Sequence, residues 1–374
     1  MFSDFYKDKR VFLTGHTGFK GSWLCEWLLA LGAEVHGYAL DPQPHEILFD
    51  QLGLPTRLAS DTRADLADRS ALSKAIAGAN PDIILHLAAQ PLVRLSYEIP
   101  VETFSTNVMG TAHLLEAVRT SGLECSIVCI TTDKCYENRE WLHAYREEDA
   151  MGGHDPYSAS KGAAELVIAS YRNSFFTSSS KIQNPKSKIL LASARAGNVI
   201  GGGDWALDRI VPDCVRALRS GSAIPVRNKI ATRPWQHVLE PLGGYLWLAA
   251  KLAMSRENES CRPSLASAFN FGPNLTSNRT VADLVQELIR HMGGEWLDAS
   301  DPAAHHEASK LNLAIDKAFH LLDWRPVWDF EETISKTAIW YMEEAAGKDP
   351  ASLTRQQIES YQSAAASKSL SWAL

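Results

Sequence analysis

The stretch "VFLTGHTGFKGSWLCEWLLAL" runs from Val11 to Leu31. Its opening, Val11 to Gly15, is a short apolar run ending in glycine, which reads as a buried strand. Phe19 to Leu31 reads as an amphipathic helix. Between them Gly15, Gly18 and Gly21 recur every third residue. A strand that turns on glycines straight into a helix opens a βαβ unit, and the small residues leave the helix N-terminus open to an anion.

Working outward, the same alternation continues. Ala33 to Leu40 reads as a second strand, Ser70 to Ala77 as a helix and Asp82 to Ala89 as a third strong strand. Phe104 to Arg119 reads as a helix and Ser126 to Thr131 as a strand. A long helix follows over Ser158 to Phe176, then a strand over Lys188 to Arg195. Such alternation predicts an α/β fold, a Rossmann-type doubly wound parallel sheet with helices on both faces. After Asn198 the pattern becomes irregular. Residues 1–198 are therefore expected to form the dinucleotide-binding domain, with part of 225–272 returning to it. Residues 199–374 are expected to be mainly a smaller, interleaved substrate-binding lobe. The polar stretch Thr177 to Lys188 is expected to be a surface loop.

The 374 residues are 45% hydrophobic, enough for a large core. The net charge of -7, the pI near 6.0 and the lack of a long Lys/Arg block argue against nucleic acid or an anionic membrane surface as partner. The six cysteines (Cys25, Cys125, Cys129, Cys135, Cys214 and Cys261) show no paired C-x-x-C spacing, which fits a reducing cytoplasm. No signal peptide or membrane span is visible. The longest apolar stretch, near Tyr245 to Met254, is broken by Lys251. "HHE" at His305 to Glu307 is not expected to hold a metal, since adjacent histidines do not share a helical face.

The glycine turn, with Thr17, Phe19 and Lys20 between its glycines, is a candidate dinucleotide site. Asp41 lies about twenty residues beyond it, at the usual place of the acid that binds ribose hydroxyls. A carboxylate there repels a 2′-phosphate and favours NAD. Asp65 and Leu66 stand where an adenine-contacting pair is expected, and Ala88 and Ala89 leave room above the sheet. In "YSASK", Tyr157 and Lys161 are four residues apart and share a helix face. Positive charge from Lys161 and an oxidised nicotinamide is expected to lower the tyrosine pKa toward neutrality, so that Tyr157 takes a proton from a substrate alcohol. Beside this pair, a strand ends in Thr131, Thr132, Asp133 and Lys134.

Taken together, "TGHTGFKGSWL", "AAQPLVR", "TTDKCYEN", Tyr-x-x-x-Lys, "GNVIGGGDWALDRIVPD" and "RPWQHVLEPLGGYLWLA" resemble the nucleotide-sugar dehydratases of the extended short-chain dehydrogenase/reductase family, most of all their CDP-glucose branch. The resemblance spans nearly the whole chain. It implies NAD as cofactor, with Gln90, Asn107 and Thr131 added to the residues above, and CDP-glucose as substrate. The implied reaction is a 4,6-dehydration. C4 is oxidised, the C5 proton is removed, the C6 hydroxyl leaves as water, the hydride returns to C6 and C5 is reprotonated. This demands an acid and a base beyond the Tyr/Lys pair, which Asp133 and Lys134 would supply. The dTDP-glucose branch is similar but has Asp-Glu there, so Lys134 marks the departure. The resemblance also implies Arg94, Asn198, Arg209, Arg233, His237 and Asn270 as substrate anchors, and dimers or tetramers formed through helices such as Ser158 to Phe176. It implies a cytoplasmic enzyme supplying 3,6-dideoxyhexoses for surface polysaccharide such as O-antigen. "LLDWRPVWDF" resembles a C-terminal family segment, with Asp323 where glycine is usual. The alternatives are a nucleotide-sugar 4-epimerase, another NDP-glucose dehydratase on the same fold, and a non-catalytic NAD-binding sensor.

Overall fold

Among the described residues, six strands run through the first 195 positions: β1 (Arg10–Thr14), β2 (Glu34–Ala39), β3 (Ser60–Arg63), β4 (Ile83–His86), β5 (Ser126–Ile130) and β6 (Leu190–Arg195). Seven shorter ones follow: β7 (Val199–Ile200), β8 (Ile224–Val226), β9 (Thr232–Pro234), β10 (Gln236–His237), β11 (Ala268–Asn270), β12 (Asn278–Thr280) and β13 (Trp296–Asp298). The computed structural model describes residues 1–44, 47–176, 188–257, 262–300 and 310–374. The stretches 177–187 and 305–307, read above as a surface loop and as a solvated "HHE", lie outside them.

The central sheet has seven strands in the order β11-β6-β5-β4-β1-β2-β3, all parallel. Strand order reverses beside β1, and the crevice at such a reversal is where α/β sheets take their ligands. Side chains alternate between two buried layers. Val11, Leu13, Leu85 and Val128 pack on one face, and Phe12, Ile84, Ile127 and Leu191 on the other. Burying each of these contributes about 1.5–3 kcal/mol. Three two-stranded ladders (β7 with β10, β8 with β13, β9 with β12) build the second half.

Four expectations need correction. The strand over Asp82 to Ala89 is the fourth, because β3, with the sequence "SDTR", pairs with β2 at the sheet edge. An edge strand needs no apolar run, so its sequence carries no strand signal. The helix expected over Phe104 to Arg119 is Gly110–Ser121, preceded by a π-helical turn over Ser105–Met109 and a short helix over Pro100–Phe104. The helix after the glycine turn, Phe19–Ala30, is not amphipathic. Nine of its residues are buried, Trp23, Trp27 and Glu26 among them. The sheet covers one side and the C-terminal helix Pro350–Ser367 covers another. There Tyr361 meets Trp27 edge-on at 5.7 Å, and Arg355 pairs with Glu26 at 3.3 Å. Trp372 stacks on Phe2 at 5.4 Å, and its carbonyl accepts the Phe2 amide at 2.7 Å. The fourth correction is at Asp323, which ends the helix Asp316–Leu322 in the left-handed conformation, with φ 50°, and so does the work of the expected glycine.

The described cysteines, Cys25, Cys125, Cys129, Cys135 and Cys214, are buried free thiols. Among the described residues no helix is long and apolar enough to cross a membrane.

Candidate active site

Gly15 turns with φ 73°, and a Cβ there would lie 2.7 Å from the Ala88 amide nitrogen. At Gly21 a Cβ would lie 2.1 Å from the Gly15 carbonyl, so the helix sits directly on its own turn. Gly18 differs, because a Cβ there would meet only the Gly15 carbonyl, at 3.7 Å. Gly18 is the N-cap of Phe19–Ala30 and makes no side-chain cap. An open, uncapped helix N-terminus at a strand-order reversal is a cradle for a pyrophosphate. The residues present fit a dinucleotide.

Around that cradle, Thr17 donates to the Leu40 carbonyl at 3.1 Å. Asp41 lies two residues beyond β2. Its side chain is 86% exposed and faces Arg63 at 3.6 Å, while Arg63 forks onto Asp61 at 2.6 and 2.8 Å. Asp65 accepts the Ala67 amide, and its carbonyl accepts the Tyr38 hydroxyl. Leu66 is buried under Gly110. The Ala88 amide donates to Thr14 at 3.2 Å, and Ala89 follows it just beyond the end of β4. Asn107 is buried and spent within the protein. It accepts the Gln90 amide at 2.8 Å and donates to the Gln90 carbonyl and to Ser160. It holds the Gln90 loop against the helix Pro156–Ser174.

That helix begins at an Asp155 cap, which accepts the Ser158 amide at 2.9 Å, with proline in its first turn. It brings Tyr157 and Lys161, both buried, to the end of β5. Thr132 acts on the Tyr157 phenol, and Lys161 Nζ donates to the Ile130 carbonyl at 3.3 Å. Burial pushes Lys161 down to about 8. Burial also pushes Tyr157 up to about 12; Thr132 lowers it, Asp133 raises it further and Arg209 lowers it. Lys161 is not among the groups that act on the phenol, so the lowering expected of Lys161 and an oxidised nicotinamide together would have to come from the charge of the bound cofactor.

Asp133 is 1% exposed, and burial raises its pKa against the lowering pull of Lys134, Thr132, Arg233 and Lys20. Thr132 donates to Asp133 Oδ1 at 2.9 Å, while Oδ2 has no partner among the described residues. A Cβ on Gly197 would lie 1.8 Å from that Oδ2. Gly197 is thus the seat of the acid, a role not read from the sequence. Next to it Asn198 sits at φ 47° with its Oδ1 buried. Gln236 donates to the Gly197 carbonyl at 2.9 Å, and among the described residues neither Asn198 Oδ1 nor Gln236 Oε1 has a partner. Buried acceptors without donors around one glycine mark a place built for a polar ligand.

Lys20, Lys134, Lys161, Arg209 and Arg233 all act electrostatically on this cluster. Burial, with Arg209 and Lys161 nearby, pushes Lys20 down to about 7. The cleft is cationic although the chain is anionic, as an anionic substrate requires. Arg209 pairs with Asp204 at 3.0 Å, and the half-exposed Arg94 pairs with Asp208 at 3.3 Å. Two expected anchors lie elsewhere. His237 is in an aromatic core, edge-on to Trp23 and Trp328 at 5.7 and 4.8 Å, and burial pushes it down to about 3. Asn270 is buried and spent on Tyr136, the Tyr145 and Ala314 carbonyls and, through its amide, Glu147.

The profile of the family described as GDP-mannose 4,6 dehydratase matches residues 12–337. A CDP-glucose 4,6-dehydratase of Salmonella typhimurium is 46% identical over 362 residues, which cover 96% of this chain and 98% of the relative. A dTDP-glucose 4,6-dehydratase of Streptomyces antibioticus is 28% identical, over 91% of this chain and 94% of that one. Among solved structures, a dTDP-glucose 4,6-dehydratase of Streptomyces venezuelae with NAD bound superposes with a TM-score of 0.74 at 23% identity, over 91% of this chain and 99% of that one. A UDP-glucose 4-epimerase of Thermotoga maritima gives 0.72 at 18% identity, over 90% and 99%. These two likenesses are of fold.

Proposed function

The chain belongs to the GDP-mannose 4,6-dehydratase family of NAD-dependent nucleotide-sugar enzymes, and from that premise we propose how its own residues dehydrate CDP-glucose to CDP-4-dehydro-6-deoxyglucose. The observation that carries the reading is Asp133. A carboxyl buried, raised in pKa and unpartnered at Oδ2 among the described residues, beside Lys134 and the Tyr157/Lys161 pair, is an acid that a 4-epimerase has no use for.

Bound NAD supplies a hydride acceptor that is regenerated within each turnover, so no outside reductant is consumed. The glycine turn, Asp41, Asp65 and the loop at Ala88 to Gln90 would hold it. Tyr157 takes the proton of the sugar C4 hydroxyl, with Thr132 and Lys161 fixing its place. Asp133, protonated, donates to the departing C6 hydroxyl, and Lys134 removes the C5 proton. Arg209 and Arg233 face the diphosphate, where arginine forks suit phosphate oxygens.

The test is incubation with four glucose nucleotides. CDP-glucose should yield a 4-keto-6-deoxy sugar with no net reduction of added NAD. Arginines that read phosphate do not separate CDP from dTDP, so selection falls to a pocket that bonds the cytosine amino group. Such a pocket leaves buried groups unpaired with the wrong base, and kcat/KM should favour CDP-glucose over dTDP-, UDP- and GDP-glucose by up to ~10⁴. An epimer as product, or equal use of dTDP-glucose, overturns the assignment.

Lys134→Met separates the two halves of the reaction. C4 oxidation should persist while water loss slows, so reduced cofactor builds up on the enzyme in a single turnover. A variant that fails at oxidation as well makes Lys134 a substrate-binding group instead.

We also propose a homodimer or homotetramer in the cytoplasm. Leu166 on the helix Pro156–Ser174 is 62% exposed, and Val101, Phe104 and Met109 stand exposed on the neighbouring turns. Leu166→Arg should shift the mass seen by light scattering to that of a monomer; an unchanged mass rules this face out.

A further inference from the structure

We infer that the buried pair Glu165–Arg195 positions the catalytic turn from Thr131 to Tyr136 by gripping it at both ends. The inference rests on the assignment of Asp133 and Lys134 to water loss.

Glu165 follows Lys161 by one helical turn, so it stands on the helix that carries Tyr157. Its Oε1 accepts the Thr131 hydroxyl at 2.5 Å, and its Oε2 accepts Ser193 at 2.8 Å and Arg195 Nη2 at 2.9 Å. Arg195 ends β6. Its Nη1 donates to the Tyr136 hydroxyl at 2.7 Å and to the Glu147 carbonyl at 2.9 Å. Tyr136 in turn donates its hydroxyl hydrogen bond to Asn270 Oδ1 at 2.7 Å and stacks on Tyr145 at 5.2 Å. Thr131 and Tyr136 bracket Thr132, Asp133, Lys134 and Cys135. One ion pair therefore joins the first residue of the turn, the last residue of the turn, and the helix of the Tyr/Lys pair.

Burying two charges is a poor way to gain stability, since desolvation offsets most of their attraction. What the pair supplies is geometry. A planar guanidinium fork spans Glu165 and Tyr136 at fixed angles, which a lysine does not do. Asp133 and Lys134 thus keep their distance from Tyr157 whatever the sheet edge does. The same network explains why Asn270 and Glu147 face inward.

The experiment compares Tyr136→Phe and Arg195→Lys with the wild type and with Asp133→Asn. Both changes keep packing and charge, and near-ultraviolet circular dichroism reports the fold. Tyr136→Phe should lower kcat about ten- to a hundredfold with KM for CDP-glucose little changed, because a small displacement of a reacting group costs rate and not binding. The slowed step should be water loss, seen as reduced cofactor accumulating in a single turnover. Arg195→Lys should show the same split. A network that serves stability alone would lower the melting temperature and leave that step at its normal rate. If Asp133→Asn blocks water loss while both other variants, folded, turn over normally, the positioning role is wrong and the site assignment stands. If Asp133→Asn itself eliminates normally, the assignment fails and the inference with it.

Discussion

Tyr157→Phe should lower kcat by ~10²–10⁴, the range for removing a positioned general base. The phenol is buried, and burial pushes its pKa up to about 12; the positive charge of a bound oxidised nicotinamide would lower it into the range of a base. In the proposed scheme Tyr157 is the group that takes up the C4 proton, while Asp133 keeps its own. The loss should therefore fall on the first half of the reaction. Mixing variant, cofactor and CDP-glucose should give no reduced cofactor and no ketone, while CDP-glucose still binds by calorimetry. The contrast with Lys134→Met is the sharp one, since that variant stalls after oxidation. Near-normal oxidation by Tyr157→Phe would mean that the proton goes elsewhere, and the roles assigned to Thr132 and Lys161 would go with it.

Gly197→Ala should be almost as damaging, though Gly197 carries no functional group. Its added methyl would lie 1.8 Å from Asp133 Oδ2 and 2.1 Å from the carboxyl carbon. The backbone has nowhere to retreat, because Gln236 grips the Gly197 carbonyl at 2.9 Å and the Phe271 carbonyl at 3.1 Å. The carboxyl must swing away instead. A displacement of about 1 Å at a reacting group costs around 10²-fold in rate. Water loss should slow by that amount, with C4 oxidation preserved. Adding Gly197→Ala to Asp133→Asn should cost little more than Asp133→Asn alone, since both act through one carboxyl. Additive losses would show that Gly197 acts by some other route.

How far the sequence carries is clear from particular residues. Gly15, Gly18 and Gly21 were legible because a turn this tight leaves no side-chain alternative, and the strands beside them because two-sided burial demands continuous apolar runs. Tyr157 and Lys161 were legible as a helical pair. β3 was not, since an edge strand of "SDTR" carries no apolar signal. His237 and Asn270 were read as anchors from their motif, whereas tertiary packing puts one among tryptophans and spends the other on Tyr136. Gly197 was hidden for a simpler reason: a missing side chain shows its purpose only when the neighbour it admits is in view. Glu165 left a faint sign, one turn past Lys161, but its partner Arg195 is 30 residues away.

The burial of the helix Phe19–Ala30 has a consequence for the order of events during synthesis. This helix carries the cofactor cradle and leaves the ribosome early. Part of its cover, Tyr361 and Trp372, is made only after every strand of the sheet. Domains tend to fold as they emerge, N-terminal part first. Here the nascent sheet must wait with Trp27 uncovered, and the cradle becomes rigid only when the C-terminal helix docks. Stalled chains ending before Pro350 should be sticky, chaperone-bound and slow to retain nucleotide, even though the glycine turn has already been translated.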